Sequence, residues 1–123
     1  MPDLQAMYAS LKTLLSQYAP PLAPKTDKIC YYDLWSFRPV EIEGRKRKEV
    51  FFAALIIQKS YVGFYFMPVY AEPEIKKLFA PELLKLLKGK SCFHIKTLTA
   101  ELVLQIESAL QAGFALYQER GWV

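Results

Sequence analysis

The sequence predicts an α+β domain: a five-stranded, mainly antiparallel sheet with the N-terminal and C-terminal helices packed on one of its faces. Three observations carry this reading. Residues 49–67, EVFFAALIIQKSYVGFYFM, split at Gln58-Lys59-Ser60 into two runs rich in β-branched and aromatic residues, the composition of strands. The strand-like runs come mostly in a row, so neighbours should pair antiparallel. Both ends of the chain carry apolar stripes at helical spacing, and a sheet of this kind needs such helices to cover one face.

Taken in order, residues 3–18 read as an amphipathic helix. Asp3 can cap its first free amides, and Leu4, Met7, Leu11, Leu14 and Tyr18 form one stripe. Ala19-Pro20-Pro21 ends it, because proline lacks an amide hydrogen and disfavours helix before it. Pro20 to Asp27 follows as an extended surface linker. Ile29 to Trp35 is a first strand and Phe37 to Glu43 a second. Pro39 places the second at a sheet edge or on a bulge.

Gly44-Arg45-Lys46-Arg47-Lys48 is a charged turn that should stay in water. The long pair, 49–57 and 60–67, comes next and stops at Pro68. Glu72 to Phe79 and Pro81 to Leu87 are short helices with Pro73 and Pro81 in their first turns, the second closed by Gly89. Ser91 to Lys96 is a short strand. Thr99 caps the last helix, and Leu98 and Val103 have the spacing of a hydrophobic staple. Its apolar side is Val103, Ile106, Leu110, Phe114 and Tyr117, and it ends before Gly121.

The 123 residues fit one domain spanning 1–123 and suffice for a real core. At 53% hydrophobic and 23% charged, the chain is not a disordered segment. A net charge of +4 permits an anionic partner without demanding one. Cys30 and Cys92 are too few for a disulfide scaffold. With no signal-peptide pattern at the start, free thiols and a cytoplasmic location are expected. The 49–67 run is broken by Gln58, Lys59 and Ser60 into pieces too short to cross a membrane as helices, so no membrane partner is expected.

Tyr61-Val-Gly-Phe-Tyr-Phe-Met-Pro-Val-Tyr70, Pro81-Glu-Leu, Gly89-Lys-Ser-Cys-Phe-His-Ile-Lys96 and the closing Tyr117…Gly121-Trp122 resemble the YdhG-like domain family. The resemblance runs over most of the chain and is best from about Tyr61 onward. It implies a frataxin-like fold, an antiparallel sheet with helices on one side, and for some members an iron-chaperone role. Iron binding of the frataxin type uses an acidic ridge on the first helix and the adjoining strand. Here Asp3 is the only acid of that helix, which also carries Lys12, while Asp27, Asp33, Glu41 and Glu43 are scattered. Iron needs several converging oxygen ligands.

Strand parity then sorts the aromatic residues. Val62, Phe64 and Phe66 share the side that should meet the helices; Tyr61, Gly63, Tyr65 and Met67 share the other. Phe93 and Ile95 belong with the first set, and Cys92 and His94 with the second. Tyr31, Asp33 and Trp35 can join from the first strand. The outer face so formed, with Trp35, Tyr61, Gly63, Tyr65, Cys92 and His94, is the expected ligand or partner surface. Large apolar patches need some cover, and a homodimer or a covering loop is the leading expectation. The functional expectation is therefore a non-enzymatic binding or accessory domain, homodimeric, taking a small molecule or protein partner.

Cys92 and His94 are candidate metal ligands for iron or zinc, but a closed zinc site needs four ligands, so no cofactor is predicted. The same pair could serve a small-molecule enzyme as nucleophile and base. No orienting third residue is evident, and no catalytic residue is assigned. Arg45, Lys46, Arg47 and Lys90 are candidates for anion binding. Lysines recur at 76, 77, 85, 88, 90 and 96, and Glu82 is the only acid between residues 75 and 96. Nucleic acid is not expected, because no base-reading module is present. Gly89-Lys90-Ser91 is not a phosphate loop: the upstream glycine is missing and a helix is expected where a strand must precede.

Overall fold

The Asp3 carboxylate accepts the Ala6 amide at 3.1 Å and opens the first helix, α1 (Leu4–Ser16), in the computed structural model, which describes residues 3–123. Met7, Tyr8, Leu11, Leu14 and Leu15 form its buried face. The sheet strands are β1 (Tyr31–Ser36), β4 (Val50–Ile57), β5 (Val62–Phe66), β6 (Leu87–Lys88) and β7 (Cys92–Ile95), in the order β1-β4-β5-β7-β6. Every neighbouring pair is antiparallel, so the chain has the predicted α+β architecture. Thr99 caps α4 (Ala100–Glu119) by accepting the Leu102 amide at 3.1 Å.

Both terminal helices lie on the face that carries Val62, Phe64, Phe66, Phe93 and Ile95, all fully buried. The centre of that core is aromatic. Phe52 meets Phe66, Phe114 and Tyr117 edge-on, and Tyr18, just beyond α1, leans on both Phe52 and Phe114. A β-bulge puts Phe52 there. Leu34 pairs with Ala53 and Trp35 with Phe51, leaving Phe52 as the extra residue. Phe52 and Ala53 consequently both turn inward, while Phe51 and Trp35 turn outward.

Five local features differ from the sequence expectation. The strand expected over Phe37–Glu43 shortens to β2 (Val40–Ile42) and pairs with β3 (Arg45–Arg47) in a separate two-stranded ribbon. Pro39 offers no ladder donor, and Glu43-Gly44 turns the chain straight back, with φ of 52° and 78°. Pro68 does not simply stop β5; it sits in the first turn of α2 (Met67–Ala71), where its missing amide costs nothing.

The next two helices are slighter than expected: a 3-10 segment at Pro73–Leu78 and a single turn, α3 (Pro81–Leu84). Gly89, with φ of 71°, turns the chain between β6 and β7 instead of closing a helix. Finally, the 20–27 linker is tied to β1. Ala23 bridges Trp35, and Asp27 bridges Tyr32.

Candidate functional site

Alternation along β5 and β7 brings five of the six outer-face residues together. Tyr65 lies opposite Cys92, and Gly63 opposite His94. Tyr61, one residue before β5, lays its ring on the His94 imidazole, with 4.0 Å between centroids and planes 14° apart. Gly63 is needed beneath Tyr65: a β-carbon there would stand 3.0 Å from Tyr65 Cε1. The tyrosine ring thus lies across the glycine and covers its bare backbone. Gln58 Nε2 donates to the Tyr65 hydroxyl at 3.4 Å.

The chemistry of this cluster is quiet. Burial pushes the Cys92 thiol above its ordinary value, and a hydrogen bond with the Tyr65 hydroxyl offsets this in part. Burial also raises Tyr65, with Cys92 adding to it. A reactive cysteine needs the opposite, an environment that favours thiolate. Cys30 is exposed and sits at the β1 margin, with β4 and β5 between it and Cys92. Among the described residues, no three His, Cys, Asp or Glu side chains gather as a metal site.

The outward positions of the three central strands are Phe51, Ala54 and Ile56 on β4, Gly63 and Tyr65 on β5, and Cys92 and His94 on β7. None is Asp, Glu, Lys or Arg. Asp33 on β1 also faces outward, but it is only 5% exposed. Its carboxylate accepts the Lys25 and Thr26 amides at 2.8 and 2.9 Å, so the linker folds over it. The chain covers this margin itself; of the seven outward positions, Ala54 and Gly63 are buried and the other five are half-buried. Beside it, Ile29 and Tyr31 are 79% and 37% exposed.

Trp35 stands apart from the other five. Its ring has the Lys25 ammonium 3.9 Å above it, and Lys25 also pairs with Glu49. The Phe51 ring lies 5.1 Å from it, tilted by 57°. Trp35 borders a cleft of about 730 Å³ at the end of the sheet, walled by Phe51, Tyr70 and Trp122, with Glu41, Glu43 and Arg47 supplying charge. The Trp35 Nε1 hydrogen is buried without an acceptor. The cleft was not foreseen from the sequence because its walls come from three separated stretches, 35–51, 67–71 and 117–122. The available signal was that Trp35 and Trp122, the only two tryptophans, both line it.

The four anion-binding candidates do not converge. Arg47 borders this cleft, Arg45 and Lys46 stand exposed on the ribbon, and Lys90 lies over Tyr70, its Nζ 5.6 Å from the ring, in a different depression. A third concavity, of about 380 Å³, opens beside His94 between α3 and the start of α4. No helix among the described residues is long and apolar enough to cross a membrane. Comparison with protein-family models, curated proteins and solved structures finds no match for this chain.

Proposed function

We propose that the protein is a non-enzymatic binding domain that acts as a homodimer, its outer sheet face meeting the same face of a second copy. One observation supports this above the others: seven outward positions on three adjacent strands include no Asp, Glu, Lys or Arg. An antiparallel sheet with one face in water ordinarily alternates apolar inward and polar outward. Here the outward set is aromatic, aliphatic and small, the composition of a surface that is covered in use.

The charge distribution favours a second copy as the cover. The chain carries +4, with Arg45, Lys46, Arg47 and Lys48 on the ribbon and its turn and six lysines between residues 75 and 96. A two-fold contact sets a surface against itself, so those basic surfaces would oppose like charges. The outer sheet face can meet its own copy without that cost. Kinship with the YdhG-like domains belongs to the same proposal. Of the segments that carry the resemblance, Tyr61–Tyr70 and Gly89–Lys96 contain β5 and β7, which supply part of this face.

Light-scattering mass tests the reading. The wild-type chain at micromolar concentration should show twice the monomer mass, and Tyr65→Arg should halve it while the fold persists. A monomeric wild type, or a dimer indifferent to Tyr65→Arg, contradicts it.

A second reading rests on a separate observation, the cleft at the sheet end. Its volume and aromatic walls fall within the usual range for small-molecule sites, roughly 300–1,000 Å³. Because both tryptophans border it, an amphipathic ligand in the cleft should change their emission. A Trp122→Phe variant whose ligand response equals that of wild type would argue against occupancy there.

A further inference from the structure

We propose that a second site, which borders the dimer face at His94, takes a small phosphate-bearing ligand in the basic pocket at the β6–β7 edge of the sheet. The pocket encloses about 380 Å³ and is lined by Lys85, Lys88, His94, Lys96, Thr97 and Thr99, with Glu82 its single carboxylate. The topology gathers these groups from four places. Lys85 follows α3, Lys88 lies on β6, and His94 and Lys96 come from β7 and the residue after it. Thr97 and Thr99 lead into α4.

Three lysines share the pocket with one carboxylate. Among the described residues, none of Lys85, Lys88 and Lys96 makes an ion pair or a side-chain hydrogen bond, whereas Lys12, Lys25, Lys77 and Arg120 all have carboxylate partners. Like charges held in one concavity raise the local potential and favour an anion there.

The lining selects among anions. The excess of two positive charges matches a phosphate monoester, which carries about −1.5 to −2 at neutral pH. A monocarboxylate would leave part of that excess uncompensated. Lysine serves phosphate as a point charge, with several donors that turn to meet its oxygens. Thr99 Oγ1 accepts the Leu102 amide, so its own hydroxyl hydrogen remains free to donate into the pocket. The positive end of the 20-residue α4 adds to the same field, offset in part by Glu101 in its first turn. The volume lies near the low end of the range for ligand sites, about 300 Å³, which suits a compact molecule.

The test is an amide chemical-shift titration of isotope-labelled protein with inorganic phosphate and, separately, glycerol phosphate, with acetate at matched ionic strength as control. Saturable shifts confined to residues 86–88 and 94–102, absent with acetate, are expected. Lys88→Gln with Lys96→Gln should weaken binding at least tenfold, and Arg45→Gln on the distant ribbon should leave it unchanged. Both lysines are exposed, so the double variant should keep the wild-type spectrum elsewhere. Tighter binding of glycerol phosphate would identify a phosphorylated small molecule as the natural source, and preference for the inorganic ion would identify free phosphate. Shifts that never saturate, equal shifts with acetate, or undiminished binding by the double variant would overturn the proposal.

Discussion

The rings of Tyr61 and His94 lie face to face across the β5–β7 pairing, 4.0 Å between centroids and 14° from parallel. The contact is diagonal, since the residue directly opposite His94 is Gly63. Gly63 offers no side chain to stack on, so His94 reaches its diagonal neighbour instead, and Tyr65 folds across the vacant glycine. Both tyrosines are thereby laid down on the sheet, giving a low aromatic surface that a partner can approach closely.

Gly113 sets how closely α4 approaches the end of β5. A β-carbon there would stand 2.4 Å from Phe66 Cζ and 2.8 Å from Pro68 Cγ. Overpacking of this kind costs about 1–3 kcal/mol, and the better helix propensity of alanine returns about 1 kcal/mol of it. Gly113→Ala should therefore lower stability by up to about 2 kcal/mol. Urea unfolding should show a lower midpoint at unchanged slope.

Tyr117 is fully buried on α4, and its hydroxyl donates to the Phe51 carbonyl at 2.5 Å. This bond ties α4 to the bulged start of β4. Tyr117→Phe leaves that carbonyl without this donor and should destabilise by about 1–2 kcal/mol. Emission of the neighbouring Trp122, whose ring lies 5.0 Å from Tyr117, should report the local change.

Alkaline pH should weaken the fold through its buried phenols. Tyr8 donates to the Lys28 carbonyl at 2.7 Å. Burial, with Asp27, Cys30 and Tyr32 nearby, pushes its phenol from 10.0 up to about 12. Tyr18, Tyr32 and Tyr117 are raised too, each chiefly by burial. The unfolded chain releases these protons near pH 10 while the folded chain keeps them, so the unfolded state binds fewer protons above that point. The stabilisation is complete below pH 10 and is lost progressively as pH rises toward 12. Urea midpoints measured from pH 8 to 11 should fall only in the upper part of that span. Tyr8→Phe should start lower, through its lost hydrogen bond, and fall less steeply. An equally steep fall in that variant would count against this assignment.

Glu43 holds φ of 52° in the turn between β2 and β3, a left-handed conformation that costs most residues about 1 kcal/mol and asparagine less. Glu43→Asn should stabilise the ribbon by about 0.5–1 kcal/mol. A small rise in melting temperature, with unchanged behaviour of the outer sheet face, is the expected readout.

Strand parity made most of the sheet legible in advance. Val62, Phe64, Phe66, Phe93 and Ile95 face the helices because side chains alternate and only one set could be wholly buried. The same rule grouped Tyr61, Gly63, Tyr65, Cys92 and His94. Trp35 also turns outward as parity requires, but it pairs with Phe51 beyond the bulge and the linker carries Lys25 over its ring, which alternation alone does not reveal. The ribbon and α2 escaped notice for a related reason. Pro39 and Pro68 mark interruptions, but the sequence does not say whether the chain then bends away or begins a new element. The pocket at the β6–β7 edge was visible only as scattered lysines, since Lys85, Lys88 and Lys96 converge through pairing of a two-residue strand too short to leave a pattern.

Pairing of two copies through the outer sheet face can be observed by an isotope-filtered nuclear Overhauser experiment. Labelled and unlabelled chains are mixed, so that only contacts between copies are seen. Contacts between copies are expected at the rings of Tyr61 and Tyr65 and the side chain of Ile56, lost in Tyr65→Arg. An absence of contacts between copies, or contacts arising only from the helices or the ribbon, would contradict pairing through this face.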